Sequence, residues 1–235
     1  MNVLITGASR GIGGAAYALL KSGGHNAVGH STRGSDELVA GDLAEASAPA
    51  RLWQAALDRL GGRVDVLVNN AGIYEGVTDN ASDEEWHAAW QRTLTVNLQA
   101  AADLCRLAVT HFREREGSVG RIVNIASRAA YRGDSPQHWH YAASKAGLIG
   151  ITKSIARGYA AQGVLAFAVA PGFTVSEMTE EYLQGRGGAQ IIADIPLGRV
   201  ATTDEVAEVI RWLAIDAPAS ATGSVIDVNG ASYVR

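Results

Sequence analysis

The chain has 235 residues, 47% of them hydrophobic and 19% charged, with a net charge of −4. That is the composition of a globular, core-forming protein, and the absence of any basic run excludes the footprint of a nucleic-acid binder. Apolar stretches such as 164–171 are too short to span a bilayer, and the lone cysteine, Cys105, excludes an internal disulfide.

Short β-rich runs alternate with helical patterns along the whole length, the signature of a parallel sheet covered on both faces. Strands are expected at 3–6, 27–30, 38–40, 64–69, 121–125, 165–170 and 224–228. Helices are expected at 11–22, 48–60, 82–112, 141–162 and 203–215. The first carries Ile12, Ala15, Ala16, Leu19 and Leu20 at helical spacing and stops at Gly23-Gly24. Between Arg33 and Asp42 too few residues remain for an ordinary crossover helix, so that helix should be shortened or missing. No linker, repeat or charge block divides the chain. The expected fold is one α/β domain over 1–235, a doubly wound seven-stranded parallel sheet of Rossmann type. A strand-like start at Asn2 without a charged leader reads as a chain with no signal peptide, hence cytoplasmic.

The first strand runs into Thr6-Gly7-Ala8-Ser9-Arg10-Gly11-Ile12-Gly13. Gly7 suits a tight turn, Gly11 a close approach of backbone to a pyrophosphate, and Gly13 close packing of the helix. The helix N-terminus behind them supplies unpaired N–H donors and partial positive charge, so this is a phosphate cradle.

The second strand ends near Ser31, and residues 14–35 contain no acid that would hydrogen-bond the adenosine ribose of NAD. Instead Ser31, Thr32 and Arg33 follow that strand and Arg10 sits in the glycine turn. Two guanidiniums and two hydroxyls suit a phosphate monoester. The expected cofactor is NADP(H).

Tyr141 and Lys145 stand four apart in a helical pattern and share a face. Of the 20 basic residues only Lys21, Lys145 and Lys153 are lysines, yet one occupies this position. A nearby ammonium favours phenolate and should lower the Tyr141 pKa from about 10 towards its optimum as acid or base. Ser127 closes the fifth strand at the carboxyl edge, where ligands bind in such sheets. Its hydroxyl can donate to a carbonyl oxygen alongside the phenol. The histidines offer no ligand spacing, and no metal site is expected.

Thr6–Gly13, Asn69–Gly72, Ser127, Tyr141, Lys145 and Pro171-Gly172 together resemble the short-chain dehydrogenase/reductase family over essentially the whole chain. The stretches Pro196–Arg199 and Val228–Gly230 resemble its 3-oxoacyl carrier-protein reductase branch. The resemblance implies a catalytic set of Asn97, Ser127, Tyr141 and Lys145, with Asn97 at a helix kink holding a water beside the lysine. For the cofactor it implies the cradle residues Gly7, Ser9, Arg10, Gly11, Ile12 and Gly13 and the discriminating Ser31, Thr32 and Arg33. It adds Asp42 and Leu43 at the adenine, the turn Asn70, Ala71 and Gly72, and Tyr141 and Lys145 themselves. Pro171, Gly172, Phe173 and Thr174 would lie at the nicotinamide carboxamide.

It further implies a substrate lid at about 173–194 and a homotetramer or homodimer built on helices 82–112 and 141–162. Helix 141–162 is apolar almost all round, which also calls for burial on every side. Ser127 to Tyr141 is one residue longer than the family pattern, and the extra residue is expected to bulge within 132–140. An acyl carrier protein is an open question, since Arg121 matches one docking arginine while Gln162 stands in place of the second. Trp139, Tyr74, Tyr131 and Tyr182 offer walls for a hydrophobic ketone instead. The leading expectation is an NADPH-dependent carbonyl reductase acting on a small molecule. The alternatives are a 3-oxoacyl carrier-protein reductase and a catalytically idle NADP-binding sensor or scaffold.

Overall fold

In a computed structural model, which describes residues 1–115, 117, 119–175 and 188–235, seven parallel strands form one sheet in the order β3-β2-β1-β4-β5-β6-β7. The strands are β1 (Asn2–Ile5), β2 (Asn26–Ser31), β3 (Leu38–Ala40), β4 (Val66–Asn69), β5 (Gly120–Ile125), β6 (Val164–Pro171) and β7 (Val225–Val228). Each falls within two residues of its expected bounds. No helix joins β2 to β3, because the connection is too short to hold one.

Buried strands put alternate residues on opposite faces, and two cores result. Leu4, Val28, Leu67 and Ile122 meet Leu52 and Trp53 of α2 (Ala48–Arg59) and Leu104, Ala108 and Phe112 of α4 (Ala100–Arg113). Val3, Ile5, Val68 and Phe167 meet Tyr17 and Leu20 of α1 (Gly11–Ser22) and Val206, Ile210 and Leu213 of α8 (Thr203–Ile215). β6 is buried along its whole length, as a strand covered on both faces must be.

The helix expected at 82–112 is broken. α3 (Asp83–Leu94) opens with a Ser82/Glu85 capping box and gives way to a π-turn, Thr95–Gln99, before α4 begins. The bond from the Ala100 N–H back to the Thr95 carbonyl spans five residues and widens the helix. At the centre of that turn Asn97 is fully buried, and such turns recur at functional sites. A short α5 (Ala129–Arg132) and α6 (Trp139–Tyr159) follow β5, with α6 beginning two residues before the expected start. A short α7 (Gly188–Ala193) precedes α8. The expected lid falls largely on 176–187, including Tyr182, which lie outside the described residues.

At the amino edge of the sheet Asp65 ties three segments together. Its carboxylate accepts from the Asn2 N–H at 2.9 Å, Arg63 at 2.7 Å and Arg115 at 2.7 Å. Burial raises its pKa, but these bonds outweigh it and hold the carboxyl below the usual range. Stability from such a group is present above the unfolded pKa and is lost as pH falls through the folded one. Asp65→Asn should therefore lower unfolding stability at neutral pH by about 3 kcal/mol, in line with breaking a buried ion pair. It should also flatten the acid limb of the stability profile, measured by denaturant titration at several pH values.

Candidate active site

The carboxyl ends of β1, β2, β4, β5 and β6 open onto one cleft of about 850 Å³. A small-molecule site of that size is ordinary. The cradle forms its floor. Gly7 and Gly11 take positive φ values of 67° and 58°, and a Cβ at Gly11 would meet nothing within 4 Å, so the backbone there is open to a ligand. A Cβ at Gly13 would stand 2.2 Å from both the Gly7 carbonyl oxygen and Asn70 Nδ2. The third glycine therefore packs against the turn itself rather than simply against the sheet. Arg10, at the N-cap of α1, makes no side-chain cap bond, leaving the first-turn N–H groups as donors. This cradle fits the pyrophosphate of a dinucleotide.

The turn is locked by Asn70. Its Nδ2 donates to the Thr6 and Gly7 carbonyls, both at 3.0 Å, while Thr6 Oγ1 accepts from the Asn70 and Ala71 N–H groups at 3.0 Å. Beneath it lies His30, which the sequence reading passed over. The Gly7 N–H donates to His30 Nδ1 at 3.3 Å and His30 Nε2 bonds the Gly41 carbonyl at 2.8 Å. Burial lowers the His30 pKa, and the neutral tautomer with Nε2 protonated satisfies both bonds. A histidine at a strand end carries no recognisable spacing, so only the fold reveals it.

Of the expected cofactor residues, Ser9, Arg10, Gly11, Ile12, Gly13, Ser31, Thr32, Asp42, Leu43, Asn70, Ala71 and Gly72 all line the cleft with Gly7. So do Pro171, Gly172, Phe173 and Thr174 at its far end. Arg33 does not; it is exposed outside the lining.

Ser127, Tyr141 and Lys145 meet at the centre of the same cleft. The Ser127 hydroxyl lies close enough to Tyr141 to oppose the effect of burial on the phenol, and both side chains line the cleft despite the longer spacing. Tyr74 packs edge-on against Tyr141 at 4.7 Å and stacks on His138 at 3.9 Å, holding the phenol in place. Trp139, by contrast, is exposed.

Lys145 is buried and its Nζ donates to the Ile125 carbonyl at 2.8 Å, lying 5.7 Å from the Tyr141 ring centre. Burial lowers its pKa to about 8. Burial likewise pushes the Tyr141 hydroxyl up to about 12, against the opposing influence of the Ser127 hydroxyl. The expected downward shift from Lys145 is thus overturned: the ammonium serves a carbonyl, and desolvation of the phenolate dominates.

Asn97 accepts from the Ile73 N–H at 2.8 Å and donates to the Ile73 carbonyl at 3.0 Å and to Ser144 at 3.3 Å. A Cβ at Gly72 would stand 3.3 Å from Asn97 Oδ1 and 3.4 Å from Lys145 Nζ. Asn97 therefore stands behind the cleft wall and joins the glycine turn to α6.

Arg121 Nη1 donates to the Leu213 and Ala217 carbonyls at 3.0 and 2.9 Å, closing the C-terminus of α8.

A parallel sheet whose strand order reverses beside a phosphate cradle, with a Ser–Tyr–Lys centre at its carboxyl edge, defines a dinucleotide-dependent oxidoreductase fold. A family model described as enoyl-(acyl carrier protein) reductase matches residues 7–231. Over 98% of its length the chain is 36% identical to a 3-oxoacyl-(acyl-carrier-protein) reductase of Escherichia coli, covering 96% of that protein. It is 34% identical to an acetoacetyl-CoA reductase of Rhizobium meliloti, covering 98% of this chain and 97% of the relative. A short-chain dehydrogenase of Burkholderia cenocepacia, solved in complex with NADP, superposes with a TM-score of 0.86 at 26% identity over 98% and 97% of the two chains. The chain belongs to the short-chain dehydrogenase/reductase family of oxidoreductases, which act on carbonyl and hydroxyl groups.

Gly13→Ala should abolish dinucleotide binding, because the added methyl must displace Gly7 or Asn70. Calorimetric titration with NADPH checks this; unchanged affinity in the folded variant would contradict the close packing.

Proposed function

We propose that this chain is an NADPH-dependent carbonyl reductase. The observation that carries the reading is that Ser127, Tyr141 and Lys145 line the same cleft as the glycine cradle. NADPH bound along the cradle supplies hydride to the carbonyl carbon, and the chain does the rest. Ser127 and Tyr141 donate to the carbonyl oxygen and polarise it. Tyr141, kept protonated by burial, then delivers its proton to the developing alkoxide. Lys145 places positive charge beside the site, and Asn97 positions the turn that carries Gly72. A catalytically idle sensor would have no use for a phenol and a serine hydroxyl lining one cleft beside a buried lysine.

The phosphate monoester of NADPH is recognised by Arg10, Ser31, Thr32 and Arg33 at the open end of β2, and the absence of an acid there supports this choice. Arg33 must swing into the cleft to take part. The NADP bound by the Burkholderia relative supports the same cofactor. Arg121 is engaged with the carbonyls at the end of α8 and Gln162 replaces the second docking arginine, which supports a small molecule over a carrier-protein substrate. The single buried thiol suits a reducing compartment, the cytoplasm.

On α6, Ala143, Ala146, Gly150 and Ser154 are exposed in a row on one face. A second copy laid against that face would bury a helix that one sheet covers on one side only. The assembly is a closed, symmetric homo-oligomer, a tetramer or a dimer.

Tyr141→Phe should abolish ketone reduction while leaving NADPH affinity nearly intact; substantial turnover by the folded variant would remove Tyr141 as the acid. Reduction should fall as pH rises through about 8, where Lys145 loses its proton; a rate flat to strongly alkaline pH would contradict a charged Lys145. Arg10→Ala/Arg33→Ala should raise the KM for NADPH far more than that for NADH. Light scattering should return a multiple of the 24.6 kDa protomer mass; the protomer mass itself would rule the assembly out.

A further inference from the structure

Arg128 follows Ser127 directly in the chain and lines the cleft, yet only 9% of its surface is exposed. Its Nη1 is buried and has no hydrogen-bond partner. The guanidinium lies over the Phe173 ring at 4.8 Å, which fixes its plane without satisfying its donors. The nearby carboxylates are engaged elsewhere. Asp134 accepts from Tyr74 at 3.0 Å and from the Ser135 N–H at 2.7 Å, and Asp194 pairs with Arg132 at 3.0 Å. A buried charged donor left unpaired is expensive, and native structures rarely keep one without a ligand to receive.

We propose that Arg128 receives a carboxylate carried by the substrate, so that the natural substrate is an oxo acid. The inference rests on the reading of Ser127 and Tyr141 as the carbonyl site. Guanidinium and carboxylate match through two parallel N–H···O bonds. With the carboxylate held at Arg128, the oxo group of the same molecule is presented to the adjacent serine and tyrosine. A neutral ketone or thioester leaves Nη1 unpaired, and a site built to bond a polar group rejects analogues lacking it.

The probes are pyruvate, acetoacetate and levulinate, which separate carbonyl and carboxylate by increasing length, each paired with its methyl ester. Binding is measured by calorimetry on the full-length protein with and without saturating NADP⁺, and turnover by NADPH consumption. The expected result is that at least one acid binds wild type roughly tenfold or more tightly than its ester. Arg128→Met should cut the acid-to-ester ratio of kcat/KM by roughly 10- to 100-fold, the usual effect of losing a charge-assisted bond. Arg128→Lys should restore part of it, as a point charge without the fork, and it serves where Arg128→Met fails to fold.

Three results would overturn the inference. All three acids could bind no better than their esters; the variants could weaken acid and ester alike; or only the KM for NADPH could rise, which would assign Arg128 to the cofactor. Arg128-dependent binding of an acid without NADPH consumption would leave the carboxylate site standing and remove the reductase reading.

Discussion

Everything in the cleft hangs on the contact between the ends of β1 and β4, where the strand order reverses. Asn70 bonds the Thr6 and Gly7 carbonyls, and Thr6 Oγ1 bonds back to the Asn70 and Ala71 N–H groups. These four bonds fix the glycine turn from the side, and His30 fixes it from below. The helix that starts at Gly11 is thereby aimed into the cleft, and Gly72 is brought to within reach of Asn97 and Lys145. One stitch therefore joins the cofactor cradle to the reaction centre. Such rigidity is needed, since positional errors near 1 Å in a catalytic array are costly.

The reaction centre is built on desolvation. Ser127 ends β5, Tyr141 and Lys145 share a face of α6, and the Ile125 carbonyl holds the lysine. Burial acts on both titrating groups in opposite directions, raising the phenol to about 12 and lowering the amine to about 8. Tyr141 stays protonated and Lys145 is charged at neutral pH. That pairing favours proton delivery to a substrate oxygen, which is the reductive direction.

Much of this was legible in the residues, for specific reasons. Strand positions followed from apolar runs buried on both faces, and the missing β2–β3 helix from simple chain length. The glycine turn and the Tyr141/Lys145 pair declared themselves because turn geometry and helical spacing each demand fixed intervals. What escaped had no local signature. Periodicity reads through the π-turn at Thr95–Gln99 as one helix, and only the resemblance placed a kink there, at Asn97. His30 and Arg128 matter through groups far apart in sequence. The tyrosine's upward shift was missed because proximity of a lysine was weighed without the burial of both groups. Arg121, at a position matching a docking arginine, bonds the Leu213 and Ala217 carbonyls at the end of α8, a contact that its place in the sequence does not announce.

The central claim is that the cleft transfers hydride to a carbonyl. The most direct test follows NADPH absorbance while the wild-type protein is incubated with a panel of neutral ketones, oxo acids and oxo esters. The account predicts stoichiometric NADPH consumption with at least one compound, matched by appearance of the corresponding alcohol. Tight NADPH binding with constant absorbance across the whole panel would contradict it and mark the protein as a binder that kept the fold without the chemistry.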